Sequence, residues 1–453
     1  MKKSLKLILA IALVFIVYFG FSTYKKLDLI TGFSAKSTAS CYFLDQRSLI
    51  SIAAEDNNID MVNLAENSIE TKKNMGFSTI FGLKKRKAIY REGLGATLIS
   101  ADFDEAKPYL VPKRTKFSPN LPFPYGHLEP NDTIFENVNY QKIKQAIAIA
   151  FQNNSNDNKK SRSILVVYKD NIIAEKYADG FDKNSLILGW SMTKSITGTY
   201  FGILQKEGKL NINQTAPIAE WKNDARKEIT IHNLLQMNSG LAWEEDYTKI
   251  SDVTQMLFQA KDMTNVQQKN PLVGKPNNHW IYSSGTTNLL SGILRKQFAN
   301  HQAYLDFWYN SLIDKIGMTS AILETDMSGN YVGSSYCWAT TRDWAKFGLL
   351  YLHRGQWNGE QIFDPSWTKY VSTPTPTSKG QYGAQFWLNA GGKFPNAPKD
   401  MFYASGYQGQ KVAIFPSDDL VIVRMGLSED FDFDTLYKDV LGSISKPLKS
   451  NNK

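Results

Sequence analysis

The sequence predicts an α/β protein: an antiparallel sheet flanked by helices, together with a mostly helical subdomain. Three observations predict it. A helix-periodic stretch from about residue 141 to 153 leads into two β-branched runs, 163–168 and 172–177, that read as a hairpin. The middle of the chain, about 195–370, is dominated by helical periodicity. The C-terminal part returns to strands at 382–388, 411–415 and 420–425 before a closing helix near 435–443.

Taken in order, the chain opens with Met1, Lys2, Lys3 and Lys6 ahead of an uninterrupted apolar run from Leu7 to Phe21, with Lys25 and Lys26 beyond it. Positive flanks around fifteen apolar residues mark an export signal or a membrane anchor. Residues 1–24 are therefore expected to hold the protein at the cytoplasmic membrane through 7–24. The remainder is then extracytoplasmic, in a periplasm or at the cell surface. Residues 25–135 read as an extension. It contains a segment, 65–73, whose Ala, Glu and Lys content predicts a helix, and a Pro-rich arm at 113–130. Residues 136–446 form the principal domain, and 447–453 form a polar tail. A 42% hydrophobic content over 453 residues supports a large core and excludes a disordered chain. The net charge of +9 is spread without a basic stripe interleaved with aromatics, which argues against nucleic acid and for a mild attraction to anionic membranes.

The chemistry concentrates at Gly189-Trp-Ser-Met-Thr-Lys194. Ser-x-x-Lys occurs four times, at Ser22, Ser191, Ser366 and Ser443. Ser22 borders the apolar run, Ser366 follows an Asp364-Pro365 helix start, and Ser443 sits near the C-terminal tail. Only Ser191 stands where an apolar segment meets a helix-periodic one. Residues i and i+3 share a helix face, so Lys194 can hold its amine against the Ser191 hydroxyl. A serine needs such a base to act as a nucleophile.

Two later segments follow in order: Tyr282-Ser-Ser284-Gly, ahead of a helical stretch at 287–294, and Tyr403-Ala-Ser-Gly-Tyr407, ahead of a strand-like run. With Ser191 and Lys194 they resemble the serine β-lactamase and penicillin-binding-protein superfamily, most closely its class C-like branch of esterases, D-aminopeptidases and 6-aminohexanoate-dimer hydrolases. The segments 229–241 and 339–348 extend the resemblance over roughly 140–445. It implies a β-lactamase/transpeptidase-like fold with the active site between the sheet and the helical subdomain, and a hydrolase that needs no cofactor and no metal. By the resemblance, Ser191 is the nucleophile, with Lys194 and Tyr282 as proton-transfer groups. Ser284, Ser405 and Gly406 line the site, and the N–H groups of Ser191 and Tyr407 form an oxyanion hole.

One departure bears on substrate. The family places a lysine or histidine where this chain has Ala404, so a cation for an anionic substrate is missing there, with Arg342 and Lys411 as possible substitutes. Ala404, and Ser284 in place of asparagine, favour an ester or linear amide, as a small molecule or peptide. A β-lactamase or D-Ala peptidase, and a non-catalytic binding member of the fold, are the alternatives. Glu244-Glu245-Asp246 reads as a solvated loop or, through Glu245, as a site for a substrate amine. No Gly-x-Ser-x-Gly elbow, Walker loop or dinucleotide fingerprint is present, and the five histidines lack metal-ligand spacing. Cys41 and Cys337 either pair or remain two buried thiols.

Overall fold

The computed structural model describes residues 24–115, 119–126, 128–152 and 159–445, in two compact units. The first comprises the described residues up to Lys107 together with Glu244–Met263 and Thr325–Gly329. Its helix α1 spans 24–43 and buries Leu27, Ile30, Ala35 and Ala39. Four strands, β1 (Glu66–Glu70), β2 (Met75–Ile80), β3 (Leu83–Arg91) and β4 (Gly95–Ile99), form an antiparallel meander in that order. Gly76 permits the close approach of sheet and helix, since a Cβ there would lie 2.9 Å from that of Ala39.

The two segments from later in the chain are bonded into this unit. Arg86 Nη2 donates to the Phe258 carbonyl at 2.9 Å, Met263 N–H donates to Asp326 Oδ2 at 2.9 Å, and the Thr97 hydroxyl donates to the Thr325 carbonyl at 3.0 Å. The helix expected at 65–73 is instead strand β1 followed by a 3₁₀ turn, Thr71–Lys73. Local propensity favours helix there, but Ser68 and Ile69 pair with Phe77 and Gly76, so the sheet overrides it. The apolar run 7–21 lies outside the described residues. Among the described residues no helix is long and apolar enough to cross a membrane.

The second unit is built on a six-stranded antiparallel sheet. Helix α2 (Tyr140–Ala150), capped by the Asn139 side chain, leads into β5 (Ser161–Tyr168) and β6 (Asn171–Tyr177), close to the predicted bounds. After the central helices α3 (Thr193–Lys206), α4 (Ser284–Arg295) and α5 (Thr341–Leu352) come β7 (Trp387–Leu388), β8 (Phe402–Gly406), β9 (Gln410–Phe415), β10 (Leu420–Gly426) and the closing helix α6 (Phe433–Leu441). The strand order is β7-β8-β9-β10-β5-β6. Strands β5, β9 and β10 are buried along their whole length, which explains their predominantly apolar sequences.

On one face, Ile143, Ile147, Leu436, Tyr437 and Val440 pack against Ile164, Val166, Phe415 and Ile422. On the other, α5 meets the sheet at Gly348, where a Cβ would come within 2.8 Å of Val412 and Val421. The strand expected over 382–388 is reduced to Trp387–Leu388. Gln385 has φ +60°, and a Cβ at Gly383 would lie 1.9 Å from the Val371 carbonyl, so the backbone turns there rather than extends. Cys41 and Cys337 are both free and buried.

Arg424 interrupts the apolar run of β10. Its side chain is buried, and Nη1 donates to the carbonyls of Gln408 and Gly409, each at 3.0 Å. Burial pushes the guanidinium pKa down to about 9. Arg424→Met leaves both carbonyls without that donor. It is expected to lower the unfolding free energy by about 1.5–3 kcal/mol, read in urea melts as a lower midpoint at unchanged slope.

Candidate active site

The chain enters the site through a short strand, Ile187–Leu188, and a 3₁₀ turn, Trp190–Met192, that feeds α3. Trp190 has φ +47°, a left-handed conformation that a bulky residue adopts only under constraint. Its ring is held edge-on by Tyr336 at 6.1 Å and Tyr407 at 5.6 Å. This places Ser191 at the first turn of a helical segment, where N–H groups have no intrahelical acceptor.

Helix α3 is buried on every side from Thr193 to Leu204, which accounts for its small and hydroxylated residues. Thr197 and Thr199 return their hydroxyl protons to the carbonyls of Thr193 and Ser195, and Gly202 abuts the Trp367 ring. Within this setting Lys194 is 1% exposed, so its amine has to be satisfied by protein groups. Nζ lies 2.7 Å from Ser191 Oγ, 2.9 Å from Ser284 Oγ and 2.9 Å from the Ser334 carbonyl. It also sits 5.0 Å from the ring centroid of Tyr282.

The structure thus brings together Ser191, Lys194, Tyr282 and Ser284. Ser284 opens α4, whose N-cap Ser283 accepts from Thr286 N–H. The Tyr282 ring packs on Trp387 at 5.0 Å and edge-on to Tyr382 at 5.8 Å. The Ser334 carbonyl was not foreseen. A backbone acceptor leaves no mark in a sequence, and this one is aimed by Asn288, whose Oδ1 accepts from Ser334 N–H at 3.0 Å.

Strand β8 carries the third segment against the first. A Cβ at Gly406 would fall 2.1 Å from the Gly189 carbonyl oxygen, so only glycine fits. Ser405 pairs across the sheet with Lys411, whose Nζ donates to Ser405 Oγ at 3.1 Å. Lys411 is 5% exposed and lies over the rings of Phe433 at 4.3 Å and Tyr403 at 4.5 Å. Burial, with a smaller contribution from Lys393, lowers its pKa to about 7. Burial raises the Tyr407 phenol, and Glu429 adds to the shift. Of the two substitutes for the missing third-segment cation, Arg342 is committed elsewhere. It binds Glu175 through Nε at 2.8 Å and Nη2 at 2.7 Å, and Glu129 through Nη1 at 3.0 Å.

Glu245 belongs to the first unit and is half-buried, while Glu244 and Asp246 both pair with Lys249. Among the described residues no group of three or more His, Cys, Asp or Glu side chains is arranged to hold a metal ion. His232 shares a hydrogen bond with the Tyr370 hydroxyl, and His353 pairs with Asp170.

An antiparallel sheet between helical layers, with a lysine-paired serine at the head of a buried helix, defines a serine hydrolase of the β-lactamase/transpeptidase fold. The chain belongs to the β-lactamase family, whose model matches residues 154–437. It is 23% identical over 316 residues to the 6-aminohexanoate-dimer hydrolase of Paenarthrobacter ureafaciens, covering 63% of this chain and 78% of that protein. A family VIII carboxylesterase structure superposes with a TM-score of 0.56 at 14% identity, covering 70% of this chain and 100% of the other. A penicillin-binding protein homologue from Caulobacter crescentus gives a TM-score of 0.53 at 12% identity, with 70% and 100% covered. At these identities the two structures speak for the fold alone.

Two outcomes follow from the packing around β8. Gly406→Ala is expected to destabilise the fold by about 1–3 kcal/mol, as overpacking does, with a lower denaturation midpoint as the readout. The Lys411 ammonium is disfavoured in the folded state, so its burial penalty is present in full below pH about 7. The penalty is relieved as pH rises from there toward the ordinary value of 10.5. Lys411→Met should remove that rise in stability, flattening unfolding free energy against pH across this window.

Proposed function

We propose that this protein is an extracytoplasmic serine hydrolase that cleaves an ester or a linear amide through an acyl-enzyme on Ser191. The observation that carries the proposal is the 2.7 Å contact between Lys194 Nζ and Ser191 Oγ. A neutral lysine has two N–H donors and one lone pair. A neutral Lys194 can thus turn its lone pair to the Ser191 proton while donating to Ser284 Oγ and the Ser334 carbonyl.

As Ser191 Oγ bonds to the substrate carbonyl carbon, its proton passes to Lys194. The oxygen that gains charge is received by the N–H groups of Ser191 and Tyr407. The face of the Tyr282 ring favours the ammonium formed on Lys194. Lys194 or the Tyr282 phenol then protonates the departing oxygen or nitrogen as its bond to carbon breaks. Water repeats the sequence on the acyl-enzyme and frees Ser191. No cofactor enters any step.

Ala404 supports an ester or linear amide over a substrate held by its own carboxylate. The name of the dimer-hydrolase relative points the same way. Lys411 on Ser405 favours a second reading, recognition of a penicillin-like carboxylate, because it brings an amine to the third segment from the adjoining strand. The lysine-flanked run 7–21 supports export with retention at the membrane.

Intact-mass spectrometry tests these readings. A fluorophosphonate should add once, at Ser191, and a short-chain p-nitrophenyl ester should turn over without a lasting penicillin adduct. A long-lived penicilloyl adduct would move the assignment to the second reading. Ser191→Ala should lose turnover on the order of a millionfold, the scale on which a nucleophile acting within a catalytic unit is lost. Unchanged ester turnover in that variant would remove the mechanism.

A further inference from the structure

We propose that the β2–β3 hairpin tip of the first unit is a second membrane contact, which inserts Phe81 and Leu83 into an anionic lipid surface beside the point where the N-terminal segment enters the bilayer. The inference rests on the proposed anchoring through residues 7–21.

The hairpin closes with a two-residue turn, since Ile80 pairs with Leu83. Both turn residues have positive φ, +52° at Phe81 and +68° at Gly82, the pattern of a type I′ turn. That turn favours asparagine or aspartate at its first position. A phenylalanine there is strained, and its ring is 68% exposed, so neither backbone conformation nor folding burial explains it. Leu83 beside it is 47% exposed.

Charge surrounds this apolar tip. Lys84 and Lys85 follow directly, with Nζ atoms over the rings of Tyr24 at 4.3 Å and Phe77 at 4.6 Å. Arg86 and Lys87 are neutralised by Asp28 and Glu105, whereas among the described residues no carboxylate pairs with Lys84 or Lys85. Two exposed apolar residues followed by two lysines suit an anionic headgroup layer with acyl chains beneath it. Each lysine held near such a surface strengthens binding by about fivefold.

Chain connectivity fixes the location. Lys84 stands over Tyr24, so the tip is next to the start of α1. Tyr24 follows Phe21, the end of the apolar run, by three residues, a reach of roughly 10 Å at most. Tyr24 is exposed, as are Lys25 and Lys26. If 7–21 enters a bilayer, the hairpin tip faces the same surface.

The test uses the full chain with Phe81→Cys, labelled with an environment-sensitive fluorophore. Cys41 and Cys337 are buried, so the label goes to the new thiol. The chain is reconstituted with vesicles of phosphatidylcholine alone or mixed with phosphatidylglycerol. With the anionic vesicles the emission should shift to the blue and be quenched by brominated acyl chains. Adding Lys84→Glu and Lys85→Glu should abolish both effects while the chain still sediments with the vesicles and ester hydrolysis is unchanged. Aqueous, bromine-insensitive emission from vesicle-bound chain would overturn the hairpin contact and leave the anchor standing. A chain that does not sediment with either vesicle would overturn the anchor and the contact together.

Discussion

The second unit is organised around one demand, that of the buried Lys194 amine for partners. A lysine nitrogen removed from water is tolerated only when its hydrogen-bonding capacity is met. Its partners come from its own helix turn, from Ser284 ninety residues away and from Ser334 at a separation of 140. Satisfying the amine therefore locks the heads of α3 and α4 and the 334 loop into one arrangement. Thr197, bonded to the Gly333 carbonyl at 2.7 Å, and Asn288, bonded to Ser334 N–H, hold the loop from both sides. The polarity inside this core belongs to one continuous network rather than to separate packing faults.

The backbone leading to Ser191 is equally constrained. A tryptophan with positive φ is costly by itself, on the order of 1–3 kcal/mol. Here the surroundings over-determine it, with Tyr336 and Tyr407 against its ring and the end of β8 against Gly189. The turn after β8 is in turn tied to Arg424. Strain at Trp190 and a buried guanidinium in β10 thus serve the same end, a fixed distance between the first and third segments.

The sequence made the sheet legible where burial on both faces leaves predominantly apolar runs, as in 163–168, 411–415 and 420–425. It also set Ser191 apart from the other three Ser-x-x-Lys matches by its position between an apolar segment and a helix-periodic one. Residues 65–73 were misread because Ala, Glu and Lys carry helical propensity, while the pairing with Met75–Ile80 that decides their state is tertiary. The bend at 383–385 was misread because Gly383 and Gln385 sit amid residues that otherwise suit a strand. The Ser334 carbonyl, 140 residues from Lys194, and the positive φ of Trp190 leave no local signature, whereas Lys411, six residues from Ser405, was within reach of the sequence reading. Arg424 had a visible signature, a charge within an apolar strand.

The division of the chain between its two units has a consequence for biosynthesis. The polypeptide passes from one unit to the other five times, at Lys107, Trp243, Met263, Glu324 and Gly329. A domain that folds as it emerges needs its own residues to have been made. Here the first unit lacks Glu244–Met263, which supplies Phe258, until translation has passed residue 263, and the Thr325 and Asp326 contacts to Thr97 and Met263 until it has passed residue 326. The part of the protein that is synthesised first therefore stays incomplete until much of the second unit has been made.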